Sequence, residues 1–315
     1  MKTALITGAS GFCARHLIKK LRTMGDGMRI CGIDLAEKAP SDILLDEYFC
    51  IDICSPDKLE HSIRLLKPDW IFHLAGVTGD NLFSVYNVNF MGSLYLMESV
   101  RKHVPESRVV IIGSSAEYGF ASPDDFPLSE DYPCRPINAY GISKHAMILA
   151  GLNYVQSCGL KIAAARPFNI VGPGIPPTLV VGAILKRIKD ALLRKDKLII
   201  KMGNLDTERD FIDVDDAVDA YIEMARGEYW GEVFNICTGK PYSIQKIVEI
   251  IASFSNLSVE IVQDPSLVRL PDIKVSFGSC DKAQNAFGFK PAIDIEKTLL
   301  RTWQHYNVME YETGE

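Results

Sequence analysis

The sequence predicts an α/β protein: a doubly wound parallel sheet covered by helices, followed by a smaller mixed α/β unit. Three observations carry this reading. Short β-branched apolar runs alternate with longer amphipathic stretches, a glycine-rich turn joins the first run to the first helix, and the alternation fades after Arg166. The 315 residues suffice for one large or two modest domains, and 47% apolar with 23% charged residues is the balance of a compact globular chain.

Taken in order, Thr3 to Thr7 is a first strand, Phe12 to Met24 a helix, Met28 to Asp34 a second strand and Glu47 to Ile51 a third. Ser55 reads as the cap of a helix over Pro56 to Leu66, and Trp70 to Leu74 as a fourth strand. A single long helix is expected over Leu82 to His103, where Leu94, Met97 and Val100 keep helical spacing. Val109 to Ile112 makes a fifth strand. After the proline-rich stretch Pro123 to Pro136 come a helix over Ala139 to Ser157 and a sixth strand, Lys161 to Ala165. Gly172, Pro173, Gly174, Pro176 and Pro177 mark a change of organisation. Beyond them helices are expected at Val180 to Arg194, Val214 to Ala225, Ile244 to Phe254 and Ile295 to Tyr306, with strands at Lys197 to Lys201 and Val233 to Ile236. The division drawn from this is 1–166 and 167–315, with some later segments returning to the first unit.

A net charge of −6 and a pI near 5.6 argue against nucleic acid or an acidic membrane as partner, since both need a basic surface. The opening apolar run Ala4-Leu5-Ile6 is too short for a signal-peptide core or a membrane span, so a cytoplasmic protein is expected. Eight cysteines, at 13, 31, 50, 54, 134, 158, 237 and 280, lack CxxC spacing and read as reduced thiols, with no metal site expected. Among them only Cys13, inside the glycine loop, sits where oxidation could disturb function.

Thr7-Gly8-Ala9-Ser10-Gly11-Phe12-Cys13-Ala14 joins the first strand to its helix. Glycines there permit a tight turn and close approach to a pyrophosphate, and the helix amino terminus adds donors and positive dipole. The loop gains force because a strand precedes it, a helix follows and Asp34 ends the next strand, which is the context of a Rossmann-type dinucleotide site. Ala14 stands where a third glycine is expected. Asp34 can accept hydrogen bonds from an adenine ribose and would repel the extra phosphate of NADP(H), so NAD(H) is the preferred cofactor; Lys38 nearby leaves NADP(H) possible. On the plainer reading Asp34 merely caps a turn. Asp52, with Ile53 beside it, could face the adenine.

Tyr140-Gly141-Ile142-Ser143-Lys144 sets a phenol and an ammonium four apart on one helical face. The lysine charge and a nicotinamide cation would lower the phenol's pKa from its free value of about 10 and let Tyr140 shuttle a proton. Upstream, Gly113-Ser114-Ser115-Ala116-Glu117-Tyr118-Gly119 follows the fifth strand, where the Ser114 hydroxyl can hold a substrate oxygen.

With these elements in this order, the sequence resembles the extended short-chain dehydrogenase/reductase family, whose members include nucleotide-sugar epimerases, dehydratases and reductases. The resemblance covers nearly the whole chain. It takes in Gly8 and Gly11, His73-Leu74-Ala75-Gly76, Asn89, Ser114, Tyr140 and Lys144, then Arg166-Pro167-Phe168-Asn169, Gly172-Pro173-Gly174, Arg209-Asp210-Phe211, Asn235 with Gly239, and Arg269. It implies a catalytic Ser114, Tyr140 and Lys144. It also implies a cofactor site formed by Gly8, Ser10, Gly11, Phe12, Cys13, Leu74, Ala75, Gly76, Asn89, Pro167 and Phe168, the last beside the nicotinamide. Toward a nucleotide-diphosphate sugar it implies Ser115, Glu117 and Asn169, with Arg209 and Arg269 on phosphate or ribose oxygens. Without the resemblance, Arg209 would read as a surface ion pair with Asp210 or Glu208, and Phe168 as a core aromatic. A homodimer through helices 82–103 and 139–157 is implied too, although their apolar stripes equally suit an intramolecular core.

Dehydratases that resemble this chain carry an acid two residues before the tyrosine of the Tyr-Gly pair, where the sequence has Ala116. Alanine is neither acid nor base, and the neighbouring Glu117 would point differently. The missing acid also weakens a decarboxylase reading, and the lack of cysteine between Ser114 and Gly119 a 3,5-epimerase reading. Net reduction of a 4-keto sugar and 4-epimerisation with tightly bound NAD remain. The Gly113 to Gly119, Gly203-Asn204-Leu205 and Arg209-Asp210-Phe211 segments most resemble GDP-4-keto-6-deoxy-D-mannose reductases, which favours reduction. A cofactor-binding protein without turnover is the alternative of a different class.

Overall fold

The computed structural model describes residues 1–25, 27–194, 198–255, 259–264 and 273–312. The first part of the chain forms β1 (Thr3–Thr7), α1 (Phe12–Thr23), β2 (Arg29–Asp34), β3 (Glu47–Cys50), α2 (Pro56–Leu66), β4 (Trp70–His73), α3 (Leu82–Tyr86), α4 (Ser93–His103), β5 (Arg108–Ile112), α5 (Ala139–Cys158) and β6 (Lys161–Pro167). The remainder supplies β7 (Asn169–Val171), α6 (Val180–Arg194), β8 (Leu198–Met202), β9 (Glu208–Asp213), α7 (Val214–Arg226), β10 (Val233–Ile236), β11 (Pro241–Ser243), α8 (Ile244–Ser253), β12 (Val259–Gln263), β13 (Val275–Ser276), α9 (Asp281–Phe287) and α10 (Ile295–Glu312).

Seven parallel strands make the main sheet, in the order β3-β2-β1-β4-β5-β6-β10. The late strand β10 extends it beside β6, with Val233 opposite Ala164, and α7 packs against α1. Later segments thus return to the first sheet. Because both faces are covered, the inner positions of β1, β2, β4 and β5 are apolar on both faces, whereas the edge strand β3 is only half-buried. Ala4 and Ile6 face the core under α1 and α7, and Leu5 between them faces the core under α2 and α4. A smaller sheet groups β11, β9, β13 and β7, β12 pairs with β8, and a third core joins α6, α8 and α10. The doubly wound sheet with a smaller mixed unit is the fold the sequence predicts.

Two expectations need correction. The long helix over 82–103 is interrupted by a π-helical stretch, Asn87–Gly92. The extra residue in that turn swings Asn89 into the core, where its amide bonds Val77 and Ser143. Ser55 precedes α2 but makes no side-chain cap; Pro56 stands in the first turn instead, with no amide hydrogen to satisfy. The strand expected from Lys197 runs over Leu198–Met202, and Lys197 lies outside the described residues.

Candidate functional site

The order of strands reverses between β1 and β4, and in doubly wound sheets ligands bind in the crevice opened at that point. Here β1 passes into α1 through Gly8, at φ 69°, where a Cβ atom would lie 2.8 Å from the Ala75 backbone. Only glycine allows that conformation and that approach together. Gly11 caps α1 with no side-chain acceptor on the helix amides, which leaves the helix amino terminus as an anion site. These two glycines form the kind of cradle a dinucleotide pyrophosphate fits. The Ser10 amide donates to the Asp34 carboxylate at 2.9 Å and the Ala36 amide to its other oxygen at 3.0 Å. Asp34 therefore does cap its turn, and each oxygen keeps a lone pair for a ribose hydroxyl.

A cavity of about 460 Å³ opens above this turn, within the size range of ligand sites. Gly8, Gly11, Phe12, Cys13, Leu74 and Gly76 line one side. Ser114, Tyr140 and Lys144 line it as well, with Pro167, Phe168 and Asn169 leaving β6 alongside. The Asn169 amide is anchored on the Asp210 carbonyl at 2.8 Å. The segment from Ile175 to Val181 borders the same space, where the sequence pattern marks only a change of organisation and the start of a helix.

Lys144 is buried and donates to the Ile112 carbonyl at 2.8 Å; burial pulls its pKa down to about 8, against the opposing pull of Glu117. The expected lowering of the Tyr140 pKa draws on the nicotinamide charge as well as on Lys144, and the protein's own groups do not produce it. Burial raises the Tyr140 phenol to about 12, and the Ser114 hydroxyl beside it lowers it only in part. The Lys144 ammonium donates to the Ile112 carbonyl and stands 6.0 Å from the ring centre. The arrangement is a protonated phenol, ready to donate, next to a serine hydroxyl. Beneath it, Thr7, His73 and Ser93 form a buried chain at 2.7 Å per contact, with His73 kept neutral at about 3 by burial and by the Lys144 charge.

Several expected contacts lie elsewhere. Glu117 does not face the cavity: it is fully buried, accepts the Ser114 amide at 2.8 Å, and pairs with Arg166 at 3.1 Å. The capping box of a short helical turn, Ser115–Glu117, draws its side chain inward. Cys134 and His145 gather round the same carboxylate, but the Arg166 guanidinium already supplies the counter-charge a metal ion would bring. Asn89, also fully buried, braces the Val77 backbone instead of lining the cavity. Ala75, Ser115, Asp52 and Ile53 do not line it either; Asp52 accepts the Cys54 amide, and Ile53 packs against Gly92. Arg209 lies away from the cavity, donating to the Glu208 and Lys274 carbonyls. It makes no ion pair with Asp210, which accepts from Thr238 and Gly239. Arg269 lies outside the described residues. The Cys13 thiol, pushed up to about 12 by burial, is a poor nucleophile despite its position.

A glycine cradle at the switch point, opening onto a serine, a tyrosine and a lysine four residues apart on one helix, is the constellation of an NAD(P)-dependent oxidoreductase of the extended short-chain dehydrogenase/reductase type. Residues 4–237 match the NAD dependent epimerase/dehydratase family, and the chain belongs to it. It is 28% identical to the GDP-6-deoxy-D-mannose reductase of Pseudomonas aeruginosa, covering 95% of this chain and 96% of that one. With the GDP-6-deoxy-D-talose 4-dehydrogenase of Aggregatibacter actinomycetemcomitans it shares 31% identity over 90% of each. The solved structure of RMD from Pseudomonas aeruginosa complexed with NADPH superposes with a TM-score of 0.85 at 26% identity, over 98% of this chain and all 100% of that one. Among the described residues no helix is long and apolar enough to cross a membrane.

Proposed function

We propose that this protein reduces the 4-keto group of a nucleotide-activated sugar, GDP-4-keto-6-deoxy-D-mannose in the first instance, with NAD(H) preferred and NADP(H) possible. The observation that carries the reading is geometric: Ser114, Tyr140 and Lys144 line the same cavity as the Gly8 and Gly11 cradle, so a hydroxyl donor, a phenol and an ammonium converge where a ketone would meet the cofactor. When bound, the reduced cofactor supplies hydride equivalents. Ser114 donates a hydrogen bond to the C4 oxygen, Tyr140 passes its phenolic proton to that oxygen as negative charge develops, and Lys144 keeps a positive charge close by. Asn169, beside Phe168 in the cavity wall, is positioned for the sugar nucleotide. The relatives named for GDP-6-deoxy sugars support the guanine nucleotide.

The inward turn of Glu117 argues against 4,6-dehydration. That reaction needs a carboxylate near C5, and the only acid in the Ser114 to Gly119 turn is committed to Arg166, with Ala116 before it. The exposed apolar residues Leu82 and Phe83 on α3 and Leu149 on α5, helices that touch, support a homodimer, which light scattering would test. The decisive experiment incubates the purified protein with GDP-4-keto-6-deoxy-D-mannose and NADH or NADPH. Cofactor oxidation in step with a 6-deoxy sugar product supports reduction, and Tyr140→Phe abolishes it. No oxidation, with copurifying NAD and interconversion of 4-epimeric nucleotide sugars, would replace this reading with the epimerase.

A further inference from the structure

Tyr221 is absent from the mechanism above and from the sequence reading. It projects from α7 into the core shared with α1 and is fully buried. Among the described residues, its hydroxyl is the one buried side-chain nitrogen or oxygen with no hydrogen-bond partner. Such a group is costly to bury unpaired, and a phenylalanine would fill the same volume without that cost. The residue also borders the cavity, with Cys13 from the glycine loop and Tyr140 close enough to act on it electrostatically. Neither satisfies the hydroxyl. Tyr221 shares the lining of that cavity with Ser114, Tyr140 and Lys144, whereas Asp34 holds the Ser10 amide and does not line it.

We propose that the Tyr221 hydroxyl is a cofactor-binding group that hydrogen-bonds the nicotinamide-ribose half of the bound dinucleotide. Its partner arrives with the ligand, so the hydroxyl adds nothing to the folding of the ligand-free protein and stabilises only the bound form. This deepens the NAD(P) reading of the cavity and rests on it.

The test is Tyr221→Phe, read by direct titration with NADH and NADPH in a fluorescence or calorimetric binding assay, without turnover. Loss of one neutral hydrogen bond raises the dissociation constant about 2- to 12-fold. ADP, which lacks the nicotinamide half, binds the variant and the parent alike. Thermal unfolding of the ligand-free variant is unchanged or slightly higher, since no protein contact is lost. Equal NADH affinity in the two proteins overturns the assignment, as does an equal loss for ADP. A drop in ligand-free melting temperature would make the hydroxyl structural and overturn it too. Should the parent protein bind neither NADH nor NADPH, the cofactor reading itself fails first, and this contact with it.

Discussion

Replacing Glu117 with glutamine removes one negative charge while keeping the shape of the side chain. In the native fold that charge faces Arg166 through contacts of 3.1 and 3.2 Å, with both side chains all but inaccessible. Arg166 also donates to the Tyr118 hydroxyl at 3.0 Å and lies 4.7 Å over its ring, so it cannot swing to water without disrupting that core. Glu117→Gln therefore strands a buried cation, which costs about 3 to 5 kcal/mol. With an unfolding entropy of about 2.1 cal/mol/K per residue over 315 residues, the melting temperature falls by about 5 to 8 °C. Because Glu117 also accepts the Ser114 amide, the turn carrying Ser114 loosens, and kcat falls by about 10- to 100-fold. Differential scanning calorimetry and steady-state kinetics read the two effects. The double variant Glu117→Leu with Arg166→Met should lose less stability than the sum of the single changes, since the two charges leave together. A melting temperature within about 1 °C of the parent for Glu117→Gln would refute the reasoning, because a paired buried charge cannot be removed so cheaply.

Three further outcomes follow from the same structure. With Lys144 held near 8 and Tyr140 near 12, reductive kcat/KM should be level up to about pH 8 and fall above it as the lysine loses its proton; Lys144→Arg should move that limb upward, and a limb that stays put belongs to another group. Gly8→Ala forces a positive φ on a residue whose Cβ meets the Ala75 backbone at 2.8 Å, so it should lose at least about 1 to 2 kcal/mol in denaturant unfolding and most of its NADH affinity. Asp215, held down to about 2 chiefly by its hydrogen bond with His16 and then by Arg301, has a folded pKa below its ordinary 3.8. Its contribution is full above pH 4 and is lost as pH falls toward 2. Discounted for its partial exposure, it amounts to about 1 kcal/mol, and Asp215→Asn should flatten the acid limb of the stability curve by that amount.

The parallel sheet was legible because its signal is local. β1 and β4 are short apolar runs, β4 ending one residue before the expected Leu74, and α2 and α6 span the ranges that periodicity and flanking residues predict. The serine, tyrosine and lysine were legible because a phenol and an ammonium four apart must share a helical face. The π-helical turn at Asn87–Gly92 was not legible, since the contact it accommodates, from Asn89 to Ser143, spans 54 residues. The inward turn of Glu117 was only half legible: Ser114 and Glu117 have the spacing of a capping box, but the Arg166 that holds the carboxylate reaches it from β6.

By itself, then, the sequence determined the doubly wound sheet, the glycine cradle with Asp34 after it, and the helix that carries Tyr140 and Lys144, all written in short-range pattern. Only the tertiary structure decided that Glu117 is committed to Arg166, that burial raises the Tyr140 phenol and lowers the Lys144 ammonium, and that Tyr221 carries a buried hydroxyl without a partner beside the cavity. Desolvation and ion pairing depend on what packs around a group. That packing is set by contacts across the whole chain, which no local spacing records.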